Sequence, residues 1–189
     1  MTPIVLLDAL KEFIEKCTGD IMLTTSPATT EKGAKKGTNK GAKRKSKPEV
    51  RAAGVYKMRL PERDVNEATE KRVPYIVLQV LTGQDEHNPG KPEDSVCRVR
   101  IIVATYSEDG GEGANDVLNL VTRIRIELLR AGEVGAQFLL RKPLEWIVYP
   151  EDTNPYFFGE LMSVWEMPAV RREINALFYD EVTTQIPMT

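Results

Sequence analysis

The chain has 189 residues, 41% hydrophobic and 29% charged, which suits one domain, or one domain with appendages, and argues against a second full domain. The formal net charge of −2 is the sum of two unlike parts, because Pro27 to Ala53 holds nine Lys or Arg against two Glu, leaving +7 in that stretch and −9 elsewhere. No apolar run reaches the length of a membrane span, and the start MTPIVLLDALKEFIEKC lacks a basic leader, so the expectation is a protein made in the cytoplasm with no membrane partner.

In chain order, Ile4, Leu7, Leu10, Ile14 and Cys17 recur at helical spacing after Pro3, with Asp8, Lys11, Glu12 and Glu15 on the other side. That pattern predicts an amphipathic helix. The basic insert follows, with Gly33, Gly37 and Gly41 spaced by lysines and nothing larger than Ala on the apolar side before Val50. It cannot build a core of its own and reads either as an interaction arm or as a solvated loop. GVYKMRL alternates Tyr56, Met58 and Leu60 against Lys57 and Arg59, which predicts a half-buried strand ending at Pro61. YIVLQVL is apolar on both faces and predicts an interior strand, and SVCRVRIIVATY follows a polar loop from Gly83 to Asp94. These two strands are expected to form a long antiparallel hairpin.

After the turn EDGGEG, the segment ANDVLNLVTRIRIELLRAG places Val117, Val121, Ile124 and Leu128 on one stripe, the expected core helix, with Asn115 or Asp116 as its cap and Gly132 as its stop. QFLLRKPLEWIVY and YFFGELMSVWEM predict two more strands joined by PEDTNP. PAVRREINALFYDEV, with Val170, Ile174, Leu177 and Phe178 at helical spacing, predicts a terminal helix. This order predicts an α+β fold: a mainly antiparallel sheet with helices packed on one face, interrupted by a basic arm at 27–53 and followed by a C-terminal helix and tail at 169–189.

Chemistry-bearing residues are sparse. His87, the sole histidine, lies beside Asp85 and Glu86 in a polar loop and cannot supply a conventional triad or the usual metal set. Cys17 and Cys97 lie far apart within apolar patterns and read as small buried side chains in a reducing compartment. SEDGGEGAND places glycines before a helix, but Glu108, Asp109, Glu112 and Asp116 repel any anion there. The lysine and glycine run has neither P-loop spacing nor a preceding strand. No catalysis, metal or cofactor is expected.

VRIIVATYSEDGGEGANDVLNLVTRIRIELL and FLLRKPLEWIVYPEDTNPYFFGELMSVWEMP resemble the tail terminator, or tail completion, proteins of long-tailed bacteriophages and their prophage relatives. The similar features are the strand ending in Thr105 and Tyr106, the turn of glycines and acids, Asp116 and Asn119 opening the helix, Arg123 within it, the Pro143 to Trp146 strand start and the closing Trp165 to Pro168. The resemblance covers roughly Ile4 to Met22 and Gly54 to Pro168, and the basic insert and last helix depart from it. It implies a virion protein at the head-tail junction, assembled in the host cytoplasm. There it forms a ring, commonly a hexamer, that caps the tail tube, ends elongation and provides the head-joining surface. Its implied partners are itself, the tail tube protein and a head-completion or connector protein. Arg123 and Arg125, off the core stripe, are then expected at contacts between subunits.

The basic arm leaves a second reading open. Lys35, Lys36, Lys43, Arg44, Lys45 and Lys47 are expected to dock on an acidic protein surface. The alternative is a sequence-nonspecific nucleic-acid-binding or other neck and connector protein acting through this arm, on DNA passing through the ring. Lysine outnumbers arginine there and aromatics are absent, so such binding would be blind to sequence.

Overall fold

The computed structural model describes residues 2–26, 49–61, 73–86, 94–150 and 154–169. Helix α1 (Pro3–Thr18) is followed by short strands β1 (Leu23–Thr24) and β2 (Val50–Arg51), which pair with each other. Then come β3 (Gly54–Lys57), β4 (Tyr75–Glu86), β5 (Asp94–Tyr106), helix α2 (Gly110–Ala131), β6 (Glu133–Val134), β7 (Phe138–Val148) and β8 (Tyr156–Glu166). The main sheet has six strands in the order β3-β4-β5-β8-β7-β6. Only β3 and β4 run parallel; every other neighbouring pair is antiparallel. The fold is α+β, with both helices on one face of the sheet.

Period-two burial along β5 shows which face that is. Cys97, Val99, Ile101 and Val103 are buried toward the helices, and Leu161 and Trp165 of β8 join them. Ser163 lies in this row without penalty, because its hydroxyl donates to the Val99 carbonyl at 3.0 Å and accepts from the Trp165 indole N–H at 2.9 Å. Helix α2 buries Val117, Leu120, Val121, Ile124 and Leu128, so the expected stripe is the core face. Two glycines leave no room for a side chain between this helix and the sheet. A Cβ on Gly159 would meet Val121 at 3.0 Å, and one on Gly113 would meet the Phe157 ring at 2.0 Å. At these points the helix and β8 touch backbone to side chain.

Several expectations are corrected. Helix α2 begins five residues before Asn115, because the Asp109 carboxylate accepts from the Gly111 and Glu112 N–H groups at 2.8 and 3.1 Å and caps it there. Gly132 ends it as expected, at φ 69° with its N–H bonded to the Leu128 carbonyl. The predicted loop from Gly83 is strand as far as Glu86, carried by a ladder that continues to Glu86 and Asp94. In β3 the burial phase is the reverse of that expected: Val55 is buried, the strand stops at Lys57, and Met58 turns out with φ 62°. The cause is the parallel ladder to β4, which fixes register through Val55 and Ile76. On α1 the buried row is Leu6, Leu7, Leu10, Ile14 and Thr18, while Ile4 is 65% exposed. At the end of the 27–53 stretch, the Glu49 carbonyl accepts from the Thr25 N–H at 2.9 Å, Val50–Arg51 pair with β1, and Ala53 is buried. The predicted C-terminal helix and His87 lie outside the described residues.

Candidate functional site

The two flanks of α2 differ in chemistry. On the side of α1, Arg123 pairs with Asp20 at 2.7 Å and Glu127 with Arg130 at 2.8 Å. Arg123 therefore ties α2 to the end of α1 within the chain. On the other flank Leu118, Thr122, Arg125 and Leu129 follow one another at spacings of three and four, with Ile126 beside them. Leu118, Ile126 and Leu129 are 38 to 42% exposed, an apolar strip left uncovered among the described residues.

Strand β7 runs alongside that strip and extends it. Trp146 pairs across the ladder with Leu161, so its ring projects from the helix-bearing face of the sheet, yet it is 47% exposed. The Arg125 guanidinium lies over it at 6.0 Å from the ring centroid, a cation-π contact that holds both side chains at the surface. Beyond Leu140 no strand pairs with the outer side of β7 among the described residues. Its ladder to β8 is broken where β7 advances from Arg141 to Glu145 while β8 advances only from Val164 to Met162. Lys142 and Pro143 occupy this bulge. Proline lacks an N–H and a buried lysine is costly, so both discourage an incoming strand here.

The opposite edge of the sheet is built differently. Strand β4 is flanked by β3 only as far as Leu78, and its outer side from Val80 to Glu86 has no strand partner among the described residues. Leu81 is the extra residue of a bulge between Val80 and Thr82. Met58 is held against β4 by a 2.7 Å bond from its N–H to the Leu78 carbonyl and by Gln79 donating to its own carbonyl at 3.0 Å. Both side chains are 45 to 46% exposed. Further along lie Asp85, which accepts from Ser95, and Glu86, which accepts from Gln84; both residues are exposed.

The face of the sheet away from the helices carries paired charge. Arg100 bonds Glu160, and Tyr149 joins them; its hydroxyl titrates above the usual tyrosine range, first because it bonds Glu160 and second through burial. Arg141 bridges Asp94 at 2.6 and 3.0 Å and Glu166 at 3.2 and 3.3 Å, linking three strands at one end. At the other end Tyr106 and Tyr156 meet edge to face at 5.5 Å.

Among the described residues no group of three or more His, Cys, Asp or Glu is placed to hold a metal. No helix there is long and apolar enough to cross a membrane. Burial pushes the Cys17 thiol up to about 11, with Glu127 adding to it, and raises Cys97 as well, so both side chains are protonated at neutral pH. The structure brings Arg125 to the exposed strip and places Arg123 in an internal pair. Val117, Val121, Ile124 and Leu128 are in the core. Lys35, Lys36, Lys43, Arg44, Lys45 and Lys47 lie outside the described residues. Sequence reasoning missed Leu118, Ile126 and Leu129, although their spacing on a second stripe of α2 was there to be read. Leu81 and Met58 had no such signal, since a bulge and a left-handed residue expose them. No protein-family model and no curated protein matches this chain.

Proposed function

We propose that the chain is a structural virion protein that forms a closed ring, capping a phage tail tube, ending its elongation and offering the surface on which the head joins. The observation that carries this reading is the apolar strip of Leu118, Ile126 and Leu129 continuing into Trp146 at a sheet edge. A monomer gains nothing by leaving that much apolar side chain in water, whereas a ring subunit buries it against its neighbour. The resemblance to tail terminator proteins supplies the rest: the sixfold ring, the tube protein below it, the head-completion or connector protein above it, and a place at the head-tail junction. The work is mechanical and needs no catalytic residue.

Deleting the gene tests this reading. The expected result is tails of irregular length that do not join heads, with complementation restoring both. Normal joined virions from the deletion strain would refute it.

The +7 of Pro27 to Ala53 favours a second reading, in which the arm holds DNA without regard to sequence. The six-residue replacement of Lys35, Lys36, Lys43, Arg44, Lys45 and Lys47 by Ser separates the two. A docking arm predicts a folded variant with salt-sensitive loss of assembly. A DNA arm predicts tight duplex binding by the parent at physiological salt and normal tails from the variant.

A further inference from the structure

Two surfaces at opposite ends of the six-stranded sheet are complementary. One is the α2 flank with β7: apolar Leu118, Ile126, Leu129 and Trp146, bordered by Arg125 and the exposed Lys142. The other is the outer edge of β4: apolar Met58 and Leu81, bordered by the exposed acids Asp85 and Glu86. Each joins exposed hydrophobic side chains to charge, and the charges named are of opposite sign, although exposed Glu145 on the first edge and exposed Arg59 beside Met58 on the second run against that balance. Each edge also carries a bulge, between Arg141 and Glu145 on β7 and at Leu81 on β4, which interrupts the run of backbone N–H and C=O groups that strand addition needs. Pro143 removes one donor more.

We propose that the occupant of the α2 and β7 flank is the β4 edge of a second copy of this chain, joined head to tail through side chains rather than by continuing the sheet from one subunit into the next. Arg125 and Lys142 of one copy face Asp85 and Glu86 of the other, while Trp146 and Leu129 cover Met58 and Leu81. Because the two surfaces are different, a joined pair still has one of each free, and repetition closes into a ring when the rotation per step allows it. The inference rests on the ring reading and adds which surfaces meet and how.

Charge reversal tests it on purified full-length protein. Arg125→Glu with Lys142→Glu makes one variant, and Asp85→Lys with Glu86→Lys makes the other. All four residues are exposed or partly exposed, so both variants should keep the parent's melting temperature within a few degrees. Sedimentation velocity and native mass spectrometry should find the parent as closed oligomers and each variant alone as monomer. An equimolar mixture should restore oligomers in which the two variants alternate, visible as even-numbered species with equal content of each. That recovery is particular to a head-to-tail contact between these surfaces. Either variant assembling like the parent, a mixture that stays monomeric, or a monomeric parent overturns the proposal. A variant that assembles normally while micrographs still place the ring at the head-tail junction overturns this interface and leaves the ring reading standing.

Discussion

Ile124 is fully buried on α2 against the sheet, where a carboxylate finds no partner. Ile124→Asp should cost several kcal/mol, on the order of the whole stability of a small domain, and give an unfolded or aggregated product by circular dichroism. A parent-like melting temperature would mean that the helix face is misassigned. Gly113 makes a finer test. Alanine improves helix propensity by about 1 kcal/mol, but its Cβ would lie 2.0 Å from the Phe157 ring, so the ring must leave its place against the core. Gly113→Ala is expected to destabilise by about 1 to 3 kcal/mol in urea titration, against the sign that propensity alone implies. Cys17 yields a pH dependence. Its folded value is raised above the ordinary 9.0 to about 11, so the neutral thiol contributes stability that is full below 9 and is lost as pH rises toward 11. Cys17→Ser should flatten that alkaline decline in a melting series from pH 8 to 11, and alkylation of the folded parent at neutral pH should be slow.

At the scale of elements, the cap explains where α2 begins. Asp109 satisfies two N–H groups that would otherwise be orphaned, so Asp109→Ala should cost about 1 kcal/mol and loosen the first turn, measured by denaturation and by faster amide exchange at Gly111 and Glu112. The acids near this end argued against an anion site, and one of them proves to be the cap. Strongly periodic elements were legible from the residues. The stripe of Val117, Val121, Ile124 and Leu128, the hairpin of β4 and β5, and the stop at Gly132 all follow from local pattern and turn chemistry. What escaped depends on partners distant in sequence. The phase of β3 is imposed by its parallel pairing to Ile76, which no alternation within GVYKMRL reports. The polar residues Gly83 to Glu86 are strand because β5 lies beside them, although their composition reads as loop. The exposed strip on α2 was likewise only half legible. Arg125 stands off the core stripe in the sequence, but its approach to Trp146 needs α2 and β7 to be neighbours, a fact of topology.

The described residues form a one-sided α+β layer whose two sheet edges are unlike, one carrying Lys142 beside exposed apolar side chains, the other carrying Asp85 and Glu86 beside them. A body of this kind suits a subunit joined to copies of itself more than a solitary domain. On the helix-free face Arg100 pairs with Glu160 and Arg141 with both Asp94 and Glu166, so these two cations are already neutralised by carboxylates of the same chain. The central claim is that this chain is the ring at the head-tail junction. Electron microscopy of the particles, reconstructed at that junction, tests it most directly. The account predicts one closed ring of copies of this 21.3 kDa chain seated on the last tube ring, with α2 and β7 of each copy against the β4 edge of the next. A junction fully built from other chains, with this one absent from the particle, would contradict it.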